Sequence, residues 1–431
     1  MKKIYKILLA IIFIIGILTE VQGQNIILKQ SHPGGIYKDG DRIVITMILK
    51  DHGRDSVAVK IRKNYNPDVS RRMVKYMGTP IVIFDEKFTH PSSGIIEAST
   101  TSESASTGFV VAPEKFKSGT ACPPDFDQFW DSERKMLHDL PLEAKTISKK
   151  VSVNGYSCVD LELNCTGPKP ARGYFAKPES ASLKSLPIVL FVHAAGVKGS
   201  WCRSEPELAL YYAQMGKGAL CFDLNAHGML NGQPEEYYIG LEKGELKDYY
   251  FQGMENRNDF YFRGMYLRLM RAIDFLTSQP EWDGKRILVI GESQGGGQAL
   301  AAAGLDQRVG AVVATVPAMC DWGGGIAGFK GGWPQPLDHK GDMEKQLATL
   351  PYFDNAHLLK RSRATILVEI GLIDNTCPST SIYAAVNQAK GKKTILAVPY
   401  RPHYAPSGDL LKNWETGIYK QKEKFIKNYL K

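Results

Sequence analysis

The residues best suited to covalent chemistry lie in one short run, Gly291-Glu292-Ser293-Gln294-Gly295. It follows the apolar stretch Ile287-Leu288-Val289-Ile290 and precedes the small-residue stretch Gln298-Ala299-Leu300-Ala301-Ala302-Ala303. A buried strand that turns straight into a helix needs nearly side-chain-free residues two places either side of its apex, and Gly291 and Gly295 supply them. The turn lifts the Ser293 hydroxyl over a helix N-terminus at a sheet edge. An alcohol is a weak nucleophile at neutral pH, so it needs a base within hydrogen-bond reach and an acid to orient that base. The chemistry implied is acyl transfer.

In a strand–serine–helix arrangement of this kind the acid and the histidine follow the serine, in that order. Asp374 comes after the strand-like run Thr365 to Ile370 by the turn Gly371-Leu372-Ile373, and His403 follows the next such run, Thr394 to Val398. His403 is the only histidine beyond Asp374, which leaves one candidate base. Asp321 is the best rival acid; Asp306, Asp338, Asp354 and Asp409 follow no central strand directly. A tetrahedral intermediate needs two N–H donors aimed at its oxyanion. The backbone of Gln294 is the first, and Ala195 in the small-residue loop His193-Ala194-Ala195-Gly196 is the second. The cysteines show no zinc-type spacing, so no structural metal is expected, and two-step acyl transfer by these residues requires no cofactor.

These residues need a frame that brings strand ends together. Ile188 to Val192, Ala219 to Phe222 and Ile287 to Ile290 are short, continuous apolar runs of the kind buried on both faces of a parallel sheet. Helical stretches alternate with them and with later strands: Gly264 to Leu276, Gln294 to Ala303, Ser379 to Ala389 and Asn413 to Leu430. Such alternation predicts an α/β fold with a doubly wound, mostly parallel sheet, and chemistry at the carboxyl ends of its strands.

The chain before about Pro113 reads differently. Short β-type runs (Asn25 to Leu28, Arg42 to Ile48, Ser56 to Ile61, Pro80 to Phe84, Gly94 to Ala98, Gly108 to Ala112) are separated by Gly, Pro, Asp and Asn turn residues. That spacing predicts a small immunoglobulin-like β-sandwich over 24–113, ahead of a catalytic unit over 114–431. Ser99 to Thr107 is a hairpin tip or a loose loop. At the start, Lys2, Lys3 and Lys6 precede the apolar run Ile7 to Leu18 and small Gly23, a signal-peptide pattern over 1–23. The expectation is a protein exported to a periplasm or outside the cell, with no membrane segment after cleavage.

A net charge of +9 over 431 residues is modest, and its basic residues are dispersed, which argues against a nucleic-acid partner. Seven cysteines are an odd number for an exported chain, so at least one is free or pairs outside the molecule.

Several segments together resemble a known family. Pro123-Pro124-Asp125-Phe126-Asp127-Gln128-Phe129-Trp130, Gly291 to Gly296, Val316-Pro317-Ala318-Met319-Cys320-Asp321, Pro351-Tyr352-Phe353-Asp354 and Gly371 to Pro378 resemble the acetyl xylan esterases and cephalosporin C deacetylases of carbohydrate esterase family 7. The resemblance implies the α/β-hydrolase fold and assigns the family's Ser, Asp and His to Ser293, Asp374 and His403. It also implies removal of acetyl groups from short acetylated xylan chains or similar small acetyl esters, and a homo-oligomer. The chain departs from the pattern at Ala194-Ala195 (usually Gly-Tyr), Asn225-Ala226-His227 (Arg-Gly-Gln) and Tyr404 (Glu), and in its β-rich leader. For His227, substrate contact and a satisfied turn residue both stand; for the aromatic stretch Tyr237 to Phe262, packing is favoured over sugar stacking. The alternatives are a serine peptidase of the prolyl oligopeptidase type and a non-catalytic glycan-binding protein.

Overall fold

The structure is a computed structural model and describes residues 25–50, 56–147 and 151–431. The expected signal peptide, 1–23, lies outside the described residues. Among the described residues no helix is long and apolar enough to cross a membrane.

The leader folds as β1 (Ile26–Gln30), β2 (Ile36–Tyr37), β3 (Arg42–Leu49), β4 (Ser56–Lys63), β5 (Val69–Lys75), β6 (Ile81–Lys87), β7 (Ser92–Ser99) and β8 (Ser104–Val111). One sheet runs β1-β3-β6 and the other β2-β8-β7-β4-β5. Alternation along β3 sends Ile43, Ile45, Met47 and Leu49 inward, against Val57 and Val59 of β4 and Ile96 and Ala98 of β7. Each fully buried aliphatic side chain stabilises the fold by about 1.5–3 kcal/mol. The leader is thus the expected two-sheet sandwich.

Two details differ from the reading above. The run Val69-Ser70-Arg71-Arg72-Met73-Val74-Lys75 shows no inward alternation, yet it pairs antiparallel with β4 as an edge strand. Its charges hinder pairing with another chain. The Ser99–Thr107 segment is mostly strand: the turn is confined to 100–103 and β8 resumes at Ser104.

The second unit is built on one sheet comprising β9 (Ala144–Thr146), β10 (Val151–Val153), β11 (Tyr156–Leu163), β12 (Ala171–Pro178), β13 (Leu186–Val192), β14 (Leu220–Asn225), β15 (Trp282–Glu292), β16 (Ala311–Thr315), β17 (Thr365–Gly371) and β18 (Lys393–Val398). Its order is β10-β11-β12-β14-β13-β15-β16-β17-β18, with β9 beside β11. The strands from β14 to β18 in this order pair parallel, while β12 meets β14 antiparallel.

Helices cover both faces. On one lie α1 (Phe126–Asp139), α3 (Tyr261–Thr277), α4 (Gln294–Leu305) and α5 (Ser379–Val386), whose apolar residues share one core cluster. On the other lie α2 (Pro206–Ala213) and α6 (Lys420–Tyr429), which bury Ala209, Tyr212, Ala213 and Ile426 against the opposite sheet face. This is the α/β-hydrolase architecture, doubly wound as expected. Register completes the frame: Val192 of β13 pairs with Gly291 of β15, and Gly371 of β17 with Val398 of β18. The loops that follow these strands therefore leave from one sheet edge.

Candidate active site

Ser293 occupies the turn between β15 and α4 with φ 56° and ψ −119°, a positive-φ conformation rare outside glycine. The turn holds because its backbone is fully engaged: Ser293 N–H donates to Thr315 O (2.9 Å), and Ser293 O accepts from Gly297 N–H (3.0 Å) and Ala318 N–H (2.9 Å). Glycine at 295 is required by a close approach. A Cβ there would lie 2.3 Å from the Val192 carbonyl oxygen and 2.9 Å from the His193 carbonyl carbon. The helix N-terminus is thereby pressed against the loop after β13.

The structure brings the three separated residues together. Ser293 Oγ lies 2.9 Å from His403 Nε2, and His403 Nδ1 lies 2.8 Å from Asp374 Oδ2. The Asp374 carboxylate accepts at Nδ1, so Nδ1 carries the proton and Nε2 is the acceptor for the serine hydroxyl. Asp374 is fully buried and its other oxygen accepts the N–H groups of Thr376 (2.8 Å) and Cys377 (2.9 Å). Ser293 is itself buried, with 8% of its surface exposed. The rival Asp321 is occupied elsewhere, accepting from Gly119 N–H at 2.8 Å.

The loops of Asp374 and His403 brace each other. Leu372 N–H donates to Val398 O (3.0 Å) and Ile373 N–H to Arg401 O (3.3 Å). Arg401, two residues before His403, is buried and bonds both Glu369 of β17 and Glu292, the neighbour of Ser293. Glu369 also accepts from Lys422 of α6 and from Trp414 Nε1 (2.6 Å). Burial alone would raise the Glu369 pKa, but the Lys422 and Arg401 charges outweigh it and hold the carboxyl below its usual range. The sequence analysis missed this network. A charged residue inside the apolar run Thr365 to Gly371 was its visible signal, because a carboxylate in a central strand needs paired cations.

Gln294 is the first residue of α4, so its N–H has no intrahelical partner. The loop carrying Ala195 is held from several sides. His193 Nε2 meets Asp223 and its Nδ1 faces Trp201 O (3.3 Å), while its carbonyl accepts from Gln298 Nε2 (3.2 Å). Burial disfavours the imidazolium of His193, yet the Asp223 charge and hydrogen bond outweigh it and raise the pKa. The Ala195 carbonyl accepts from Trp201 Nε1 (3.0 Å), and the Gly196 carbonyl from His227 Nε2 (2.9 Å).

His227 is a buried, satisfied residue: its Nδ1 lies 2.7 Å from Tyr261 Oη, and burial pushes its pKa down to about 3. Of the aromatics, Tyr238, Phe260 and Phe262 are packed in the core, and Tyr249 Oη donates to Gln294 Oε1.

Asp374, Cys377 and His403 place ligand-type atoms within 4.8 Å of one another. The carboxylate and imidazole satisfy each other by hydrogen bonding, and burial raises the Cys377 thiol pKa well above its usual value. No disulfide links the seven cysteines, all of which are free thiols here.

A sequence model of the acetyl xylan esterase (AXE1) family matches residues 113–414. The chain is 28% identical over 427 residues to the acetyl esterase Axe7A of Xylanibacter ruminicola, a match covering 93% of this chain and 94% of that protein. Among solved structures, it is similar to the acetyl xylan esterase from Paenibacillus sp. R4 at 27% identity and TM-score 0.58. That match covers 74% of this chain and 98% of the other. The fold is also that of acetyl xylan esterase 1 from Thermoanaerobacterium sp. JW/SL YS485, at 22% identity and TM-score 0.60 over 74% of this chain and 98% of that one.

Proposed function

The chain belongs to the acetyl xylan esterase family, and on that premise we propose that it is an exported serine esterase removing O-acetyl groups from short acetylated xylan chains or similar small acetyl esters. Ser293, His403 and Asp374 act as its catalytic triad. The signal-peptide pattern of residues 1–23 supports export, and we assign 24–113 to a sandwich domain and 114–431 to the catalytic domain.

The reaction proceeds in two acyl transfers. Ser293 Oγ attacks the acetyl carbonyl carbon while His403 Nε2 takes the hydroxyl proton, and Asp374 stabilises the imidazolium. The backbone N–H groups of Gln294 and Ala195 receive the oxyanion. The C–O bond to the sugar breaks, and His403 returns its proton to the departing sugar oxygen. Water, deprotonated by His403, then attacks the acetyl carbon, the bond from Ser293 Oγ to the acetyl group breaks, His403 returns the proton to Oγ, and acetate leaves.

One observation carries this reading: the hydrogen-bond chain from Ser293 through His403 to Asp374, at 2.9 and 2.8 Å, on the edge where the parallel strands end. The test is acetate release from acetylated xylo-oligosaccharides by the wild type and Ser293→Ala, with circular dichroism to verify folding. Turnover is expected to fall by about 10⁴–10⁶ in the variant. Retained esterase activity, or failure of the folded wild type to react with a fluorophosphonate, would overturn the triad. A prolyl-peptidase reading is disfavoured by the leader, a two-sheet sandwich rather than a propeller.

A further inference from the structure

The tip of the β4–β5 hairpin is an unusual object. Asn64 and Tyr65 both have positive φ, 51° and 59°. A bulky residue keeps that conformation only where its surroundings hold it. Asn64 is fixed to the neighbouring strand, its Oδ1 accepting Ser93 N–H at 2.8 Å. Tyr65 leaves the sandwich and is buried against the other unit: its Oη accepts Ser379 N–H (3.0 Å) and lies 3.1 Å from Ser379 Oγ. Ser379 begins α5, immediately after the Asp374–Pro378 turn. Burial pushes the Tyr65 phenol pKa far up, so the hydroxyl stays protonated throughout the working range.

Three further contacts reach the same place. Arg62 Nη1 donates to Asn375 Oδ1 at 2.7 Å, one residue beyond Asp374. Gly108 N–H donates to Pro399 O at 2.8 Å, on the loop that leads to His403. A Cβ on Gly108 would lie 2.2 Å from the Leu372 carbonyl oxygen, so the strand backbone rests directly on the acid loop.

We propose that the β-sandwich is a positioning element of the esterase, in which Tyr65, Arg62 and Gly108 fix the loops of Asp374 and His403. This rests on the triad reading above. Tyr65 touches neither substrate nor the reacting atoms and acts through Ser379 and the turn that supplies the Thr376 and Cys377 N–H donors to Asp374. A leader evolved only to hold polysaccharide has no need to bury its hairpin tip against its own catalytic loop.

The test uses the full-length chain carrying Tyr65→Phe or Arg62→Met, with Tyr76→Phe as control. Tyr76 is a buried sandwich tyrosine whose Oη donates to Leu49 O at 3.4 Å, within the leader. Kinetics on 4-nitrophenyl acetate from pH 5 to 9 should give a five- to fifty-fold lower kcat for Tyr65→Phe and a smaller loss for Arg62→Met, with KM within about twofold. The acid limb of the kcat profile should move to lower pH, because a displaced carboxylate stabilises the imidazolium less. Tyr76→Phe should lower thermal stability and leave kcat and the profile unchanged.

Unchanged kcat and pH profile in both Tyr65→Phe and Arg62→Met would overturn the proposal, as would an equal change in Tyr76→Phe. Weakened retention on acetylated xylan with intact kcat would also overturn it, making the sandwich a polysaccharide-binding module. If Tyr65→Phe fails to fold, Arg62→Met decides alone. In the same series a fully active Ser293→Ala would sink the triad reading instead, so the two failures are distinguishable.

Discussion

Arg401 Nη2 lies 3.0 Å from Glu292 Oε1 and so joins the residue two places before His403 to the residue just before Ser293. Its second contact, Glu369, extends the link to Lys422 on the last helix. The Ser293 turn, the His403 loop and the last helix thus share one set of paired charges, buried at Arg401, Glu369 and Lys422 and exposed at Glu292.

Removing the centre of that set leaves cations buried without their partner, which costs about 3–5 kcal/mol. Glu369→Gln should lower stability by this amount at pH 7. The folded-state pKa of Glu369 lies below the unfolded value, so its contribution is present above the unfolded pKa and is lost as pH falls through the folded one. Urea unfolding should therefore find a smaller gap between wild type and variant at pH 3 than at pH 7. A gap that does not vary with pH would count against the charge network.

Gly295→Ala tests the contact between the Ser293 turn and the loop after β13, the oxyanion loop proposed above. The added methyl would meet the Val192 carbonyl oxygen at 2.3 Å, so the loop must shift. Misplacement of that order costs about 10²-fold in rate. We expect kcat on acetate esters to fall about a hundredfold with the chain still folded; wild-type kcat would mean that the loop is not a catalytic part.

His227 fixes the same loop from the other side through Gly196. Its folded pKa, about 3, lies below the unfolded value, so its stabilising contribution is full above the unfolded pKa of about 6.5 and is lost as pH falls toward 3. His227→Phe should lower kcat about tenfold at pH 7. Its melting temperature should also fall less than that of the wild type between pH 6.5 and 4, which thermal scans across that range would measure.

Asp354 and Asp321 form a buried acidic pair. Burial first, and then the charge of Asp321, raises the Asp354 pKa, and burial raises that of Asp321. Stability from raised carboxyl groups is present below the unfolded pKa and lost as pH rises through the folded one. Asp321→Asn removes the like charge. The wild type should lose about 1–2 kcal/mol between pH 5 and 7.5 that the variant retains, as read from urea midpoints; parallel pH dependence would refute the coupling.

The parts legible in the sequence were those with a local signature. Gly291 and Gly295 around Ser293, and a strand immediately before both Asp374 and His403, sufficed because strand ends in a parallel sheet converge by topology. β5 was missed because an edge strand that is largely exposed carries no alternation, and in Val69 to Lys75 the central Arg71, Arg72 and Met73 face solvent. The role of Tyr65 was illegible for another reason: it partners Ser379, 314 positions away, and nothing local distinguishes Asn64-Tyr65 from any solvent-facing hairpin tip. His227 stayed ambiguous because the end of a buried strand suits a ligand contact and a structural bond equally; its partners come from elsewhere in the chain, Gly196 from the loop after β13 and Tyr261 from the start of α3.

The absence of side chains at Gly35 and Gly108 has a consequence for recombination. With Leu372 and Pro399 seated in the space those glycines leave open, the leader and the hydrolase body share a fitted seam. Exchanging the leader with that of another hydrolase, or transplanting it as a tag, requires both sides of the seam to be redesigned together. Chimeras cut at residue 113 without matching changes at 372 and 399 inherit a mismatch directly behind Asp374.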